Sequence, residues 1–255
     1  MALLADIGFE AFEEKETGVD AYVRERDFDA QHLADTLAPM GGIAYETAVI
    51  PAKNWNAEWE SNFQPVQIGT FCQIIPSFMA PSPGFVHTLV IEPKMAFGTG
   101  HHETTRLMVQ QIESLAPAGK VVLDMGCGTG ILGIMAAKMG ASRCVGIDID
   151  LWSIENSGEN CRLNGVENME IRQGDAAAIP DEDFDLILAN INRNVLLQDL
   201  PAYVGRLRPG GALAISGFYV ADEPALLKAG EAQQLILRGR LTENNWCSLT
   251  FEKPV

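Results

Sequence analysis

A doubly wound α/β sheet is predicted for the bulk of this 255-residue chain, and three features predict it. Short apolar, β-branched runs alternate with segments whose apolar residues recur at helical spacing, the pattern of parallel strands joined by crossover helices. One run, Val121–Asp124, passes without a gap through Met125-Gly126-Cys127-Gly128-Thr129-Gly130 into a helix marked by Ile131, Leu132, Ile134, Met135, Ala136 and Met139. A second run, Cys144–Asp150, carries acids at Asp148 and Asp150, where a parallel strand meets its ligand-facing edge.

Apolar residues make up 47% and charged residues 20%, a globular balance at a length that can bury a large core. The net charge of −16 argues against nonspecific nucleic-acid or anionic-membrane binding, which want a basic face, and is compatible with a basic macromolecular substrate. No uninterrupted apolar stretch approaches membrane-spanning length, and the N-terminus lacks a basic segment followed by an apolar one. The five cysteines form no C-x-x-C pair and read as ordinary thiols of a reducing cytoplasm. A monomer is the default expectation.

Residues 1–50 read as a small α+β domain. Apolar residues at 3, 4 and 7 mark a first helix within Met1–Phe9. Phe9–Asp27 then reads as two strands around Glu16-Thr17-Gly18. Asp29 caps a helix over Ala30–Ala38, and Ile43–Ile50 is a further strand candidate. Helix, hairpin, helix, strand is a ferredoxin-like split β-α-β unit without its first strand, so residues upstream of Met1 are expected to be missing. Residues 51–69 form a connector with Trp55, Trp59 and Phe63 at four-residue spacing, read as a short amphipathic helix.

Phe71–Ile75 and Val86–Glu92 are strands separated by the turn signal Pro81-Ser82-Pro83-Gly84. Glycines, hydroxyls and histidines then crowd together from Phe97-Gly98-Thr99-Gly100 to His101-His102-Glu103-Thr104-Thr105. A helix follows with Leu107, Met108, Ile112 and Leu115 on its apolar side. Thr104 or Thr105 lies near its free amides, as a cap or a ligand contact. Adjacent histidines point in different directions and no further ligand stands at metal spacing, so no metal is expected.

The glycine loop points to a nucleoside-type ligand. A dinucleotide site needs G-x-G-x-x-G, but Ile131 occupies the third glycine position, and no Lys-Ser or Lys-Thr completes a P-loop. Asp124, an acid in the turn, would repel a pyrophosphate. Gly126, Gly128 and Gly130 let a ligand approach bare backbone. Asp148 can accept hydrogen bonds from ribose hydroxyls, with Asp150 the better helix cap. Met169–Gln173 is the third strand, and Asp175 in the loop after it can edge an adenine. Phe184–Leu188 is the fourth, running into Ala189-Asn190-Ile191-Asn192, so Asn190 shares a crevice with the glycine loop. Leu196–Leu207 is helical, Pro209-Gly210-Gly211 a turn, Ala212–Ser216 the fifth strand and Glu223–Gly230 a helix; Gln234–Leu241 and Trp246–Glu252 close the sheet as an antiparallel pair.

The run D-x-G-C-G-T-G resembles the first motif of the class I methyltransferases, which bind S-adenosylmethionine; that ligand carries an amine and a sulfonium, so the resemblance implies that the Asp124 carboxylate belongs to its site. The N-P-P-[YF] segment of adenine and glutamine-amide methyltransferases is absent after the fourth strand. Instead A-F-G-T-G-x-H-x-T-T, together with Ala189-Asn190-Ile191, is similar to the bacterial family that methylates large-subunit ribosomal protein L-eleven. The likeness covers the catalytic domain, 70–255, and extends more weakly into the connector and the small domain. It implies that Thr105, Gly126, Asp148 and Asn190 hold the cofactor, that Phe97 and Thr104 belong to the same segment, and that lysine ε-amino groups and an α-amino terminus are methylated. It also implies that the small domain recognises the substrate. His101 and Glu103 stand where many members carry Thr and Pro. Asn190 is the expected catalytic residue, its carbonyl aiming the amine, with no obligatory general base. Rival readings are a small-molecule or RNA amine methyltransferase, a noncatalytic cofactor-binding module, and a nicotinamide-dependent oxidoreductase.

Overall fold

The structure, a computed structural model, describes residues 1–41, 43–50, 63–92, 94 and 96–255. The chain divides into two compact units, Met1–Ser61 and Asn62–Val255. Trp55 and Trp59, read as part of an amphipathic helix, lie outside the described residues.

The first unit opens with a short helix α1 (Ala2–Ala5) and a hairpin of β1 (Ala11–Lys15) and β2 (Gly18–Tyr22), turning at Glu16-Thr17. Helix α2 (Ala30–Leu37) starts where the Asp29 carboxylate accepts the Gln31 and His32 amides at 2.9 and 3.0 Å. The strand expected over Ile43–Ile50 is not formed: these residues are exposed and pair with no strand among the described residues, and extended chain without a ladder partner leaves its backbone groups to water.

In the second unit, β3 (Val66–Ile68), β4 (Cys72–Ile75) and β5 (His87–Val90) form a three-stranded sheet. Val66–Ile68, assigned above to the connector, pairs antiparallel with β4 because Val66 and Ile68 bury one face. The segment after β4 crosses over, so β5 pairs with β4 in parallel despite the Pro-Gly turn signal between them.

The main sheet has seven strands: β6 (Val121–Met125), β7 (Arg143–Asp148), β8 (Met169–Gln173), β9 (Phe184–Asn190), β10 (Leu207–Tyr219), β11 (Ile236–Glu243) and β12 (Trp246–Glu252). Their order is β11-β12-β10-β9-β6-β7-β8, parallel except for β12, which runs antiparallel to both β10 and β11. The expected doubly wound sheet with its closing antiparallel pair is thus present. The Pro209–Gly211 turn falls inside β10 as a register shift between Leu207 and Ala212.

Both faces of the central strands are buried, which is why they read as continuous apolar runs. Val122, Cys144, Leu186, Leu188 and Ala214 pack with α3 (Glu103–Leu115), α4 (Ile131–Lys138) and α5 (Leu151–Leu163). Their neighbours Leu123, Val145, Ile187, Ala189, Leu213 and Ile215 point the other way, onto Leu196, Leu200 and Tyr203 of α6 (Arg193–Arg206) and Leu226 of α7 (Glu223–Ala232). Strands β6 and β9 sit side by side at the centre, where the strand order reverses and the carboxyl ends open a crevice.

Candidate functional site

That crevice is a cavity of about 580 Å³ at the carboxyl ends of the central strands, a volume within the usual range for a small-molecule ligand. Gly126 and Gly128 form its floor. At Gly128 φ is +53°, and a Cβ would stand 2.3 Å from the Phe97 carbonyl oxygen; at Gly126 it would stand 2.2 Å from the Ile191 side chain. Both positions therefore demand glycine on steric grounds, and both leave bare backbone facing the ligand.

The acids divide into two roles. Asp148, at the end of β7, lines the crevice while its Oδ2 accepts the Gly128 amide at 2.8 Å and its Oδ1 the Asp150 amide at 3.0 Å. It braces the loop as well as facing the ligand. Asp150 caps α5 by accepting the Trp152 amide at 2.9 Å. Asp175 is exposed on the rim and accepts the Ala177 amide at 2.9 Å. With Asp199 of α6 these make four carboxylates on the crevice wall, and no Lys or Arg among the described residues lines it. The field there favours a cationic or amine-bearing ligand and opposes a phosphate.

Asp124 does not face this crevice. It is buried in the sheet, 1% exposed, and its Oδ2 accepts the Gly133 amide of α4 at 2.9 Å. As the last residue but one of β6, Asp124 points into the packed layer beneath the loop and supports it from below. Gly130, the first residue of the helix cap, and Thr105, fully buried on α3, are likewise absent from the lining, whereas Phe97, Thr104, Gly126, Gly128, Asp148, Asp175 and Asn190 are brought together.

Burial pushes the Asp124 carboxyl up to about 7; the nearby Asp148 charge adds to the rise and the Gly133 N–H opposes it. The folded protein then holds this proton more tightly than the unfolded chain, whose value is near 3.8, so stability falls as pH climbs from about 4 through 7. Asp124→Asn is expected to remove about 2–3 kcal/mol of the wild type's loss of stability between roughly pH 5 and pH 8. Denaturant melts of both proteins at the two pH values check this; parallel pH dependences would refute it.

Asn190 ends β9 beside the glycine loop. Its Oδ1 is shielded from solvent and accepts no hydrogen bond among the described residues. Across the mouth runs a row of rings: Phe97 and His102 at 5.3 Å, His102 and Trp246 at 4.6 Å, Trp246 and Tyr219 at 4.2 Å. His102 holds its place by capping α3, its Nδ1 accepting the Thr104 amide at 3.2 Å. Trp246 is delivered by the β11–β12 turn, which α3 grips: Asn244 donates to Glu103 at 2.7 Å, and Arg106 donates to Glu243 at 2.9 and 2.5 Å. The His101-His102-Glu103 cluster is thus a cap and a clamp, and no group of three or more His, Cys, Asp or Glu among the described residues is placed to hold a metal ion.

Sequence reasoning missed Trp246 and Gly217 as lining residues. A glycine inside the β10 pattern was the available signal for the second, since strand glycines mark close backbone approach. Trp246 had none, because only the folding back of β12 against β10 brings it to the crevice.

The chain has relatives of known fold and name. Residues 5–254 match the family described as Ribosomal protein L11 methyltransferase (PrmA). The Ribosomal protein L11 methyltransferase of Porphyromonas gingivalis is 46% identical over 98% of this chain and 88% of its own length. That of Bacteroides fragilis is 43% identical over 98% of this chain and 91% of its own. The crystal structure of a ribosomal protein L11 methylase from Lactobacillus delbrueckii subsp. bulgaricus superposes with a TM-score of 0.71 at 28% identity, covering 76% of this chain and all of that one. A seven-stranded class I methyltransferase sheet, a glycine-floored crevice walled by acids, and matches spanning nearly the whole sequence agree, and the chain belongs to the ribosomal protein L11 methyltransferase family.

Proposed function

We propose that this protein transfers methyl groups from S-adenosylmethionine to amino groups of ribosomal protein L11, both lysine ε-amino groups and the α-amino terminus. Beside the family match, one observation carries the chemistry: the Asn190 carbonyl oxygen, shielded and without a hydrogen-bond donor among the described residues, at the edge of a crevice floored by bare glycine backbone.

The residues present fit the cofactor. Gly126 and Gly128 admit it against the backbone, Asp148 offers carboxylate oxygens to sugar hydroxyls, and the acidic wall suits its amine and sulfonium. Asp175 edges the base, and Phe97 and Thr104 close the side nearest α3. When bound, S-adenosylmethionine supplies an electrophilic methyl group. The chain's own residues must deliver a neutral amine to it, since a free lysine has a pKa of about 10.4 and is protonated at neutral pH. Phe97, His102 and Trp246 set rings along the approach, and apolar ring surface beside the amine weakens its hydration, which disfavours the ammonium. Asn190 Oδ1 then accepts an amine N–H, which turns the lone pair toward the crevice floor. The released proton passes to water once the amine has been alkylated.

The small N-terminal unit is read as the part that recognises the ribosomal protein, with residues after it serving as a linker, and the protein acts as a monomer without direct nucleic-acid contact. No helix among the described residues is long and apolar enough to cross a membrane.

Incubation with methyl-labelled cofactor and purified ribosomal proteins is expected to label L11 alone. Label in RNA, or in no ribosomal protein, would refute the substrate assignment. Heat on titration with S-adenosylhomocysteine, and none with NAD, is expected from the crevice chemistry.

A further inference from the structure

One face of α5 carries an asparagine at every turn: Asn156, Asn160 and Asn164 stand at i, i+4 and i+8. Two of them clamp the chain that leaves β5. Asn164 accepts the Val90 amide at 2.9 Å and donates to the Val90 carbonyl at 2.7 Å. Asn160 accepts the Glu92 amide at 2.9 Å and donates to the Thr129 carbonyl at 2.9 Å. Each helical turn, about 6 Å over four residues, thus matches two residues of extended chain, about 6.6 Å. Continued one turn, this register pairs Asn156 with Lys94.

Lys94 lies against the same stretch of helix, because its Nζ meets the Glu159 carboxylate, three positions from Asn156. Asn156 is 3% exposed, yet neither its Oδ1 nor its Nδ2 has a partner among the described residues. An amide buried with both ends unpaired is destabilising, so its presence calls for a reason. The Lys94 amide meanwhile donates to the Glu92 carbonyl at 2.9 Å, within a local turn. Two and three residues further on, Ala96 and Phe97 line the crevice, and Thr129 holds the Phe97 carbonyl at 2.9 Å.

We propose that Asn156 is a positioning residue for the cofactor wall: its side-chain oxygen takes the Lys94 amide when the crevice is filled, as the third rung of the asparagine ladder, and so fixes Ala96 and Phe97 against the ligand. This rests on the reading of the crevice as the S-adenosylmethionine site. The two arrangements of the Lys94 amide exchange one acceptor, the Glu92 carbonyl, for another, the Asn156 side-chain oxygen, and the cofactor selects between them through the wall residues it touches.

Calorimetric titration with S-adenosylhomocysteine, paired with hydrogen exchange at the Lys94 amide in the full chain, tests the inference. In the wild type, saturation is expected to slow Lys94 exchange about tenfold. Asn156→Leu is expected to abolish that slowing and to weaken binding about three- to tenfold, the size of one net hydrogen bond. The same variant should melt no lower than wild type without ligand, since it removes an unpaired buried amide; a merely structural asparagine would lower the melting temperature and leave the affinity ratio alone. Asn156→Asp, which keeps an acceptor oxygen, should retain the slowing. Binding by the wild type with Lys94 exchange unchanged overturns this inference and leaves the cofactor reading intact. No binding by the wild type overturns both. If Asn156→Leu does not fold, the wild-type exchange measurement decides.

Discussion

Gly217→Ala is expected to lower kcat/KM for methyl transfer by about a hundredfold or more, the scale of a displacement of roughly 1 Å at a reacting centre. The residue is far from the glycine loop in sequence, yet its φ is +95°, and a Cβ there would stand 2.2, 2.7 and 2.9 Å from the carbonyl oxygen, carbonyl carbon and amide nitrogen of Ile191. All three contacts are main-chain atoms, so no side-chain rotation relieves them. Either β10 or the Asn190–Asn192 loop must shift. The β10–β12 pairing already slips between Ile215 and Phe218, while the Ile191 amide donates to the Ser216 carbonyl at 3.2 Å, which ties the two segments together at this level. The loop therefore moves with Asn190 at its start. Steady-state kinetics with a thermal melt of the same preparation measures the effect. A variant that melts near wild type and keeps kcat/KM within a few fold would show that the Asn190 loop tolerates displacement.

That a distant glycine supports the site shows which parts of the molecule were readable in advance. The central strands β6, β7 and β9 announce themselves because burial on both faces leaves only apolar residues, as in Val121–Leu123 and Leu186–Leu188. Asp29 and Asp150 were legible as caps because the cap is a local bond between a carboxylate and amides two or three residues away. Pairing is not local. The β3–β5 sheet joins three strands of three or four residues each, and nothing in Val66–Ile68 alone indicates a partner at Cys72–Ile74. Nor do the apolar and β-branched residues of Ile43–Ile50 reveal that no partner strand stands beside them among the described residues. The same limit separates the acids of the site. Asp124 is the last residue but one of β6 and Asp148 the last of β7, and only the packing around each strand end decides that Asp124 sinks beneath α4 and Asp148 faces the crevice. Asn190 was legible because it ends a strand adjacent to the glycine loop, a consequence of strand order that the alternating strands and helices already imply.

Asn190→Ala is expected to reduce kcat about a hundredfold, comparable to removing one positioned, solvent-shielded polar group from a reacting centre. The sign of its effect on stability separates catalysis from architecture. In the folded protein the Asn190 Oδ1 is shielded and unpaired among the described residues, so deleting it removes an unsatisfied acceptor and is expected to leave the melting temperature unchanged or slightly raised. A residue kept for packing behaves oppositely. The comparison must be made at matched cofactor occupancy, because Asn190 also lines the crevice. Under those conditions loss of aim appears in kcat, whereas loss of cofactor grip appears only in its KM. Asn190→Asp sharpens the distinction. It keeps an acceptor at the same place but adds a fifth carboxylate to a wall that already holds Asp148, Asp150, Asp175 and Asp199, with no Lys or Arg among the described residues that line it. Its amine should therefore be held as an ammonium to higher pH, and the pH at which kcat rises is expected to shift upward relative to wild type. Near-normal turnover by Asn190→Ala would remove the residue from the reaction and leave the aiming of the amine to main-chain carbonyls of the same loop.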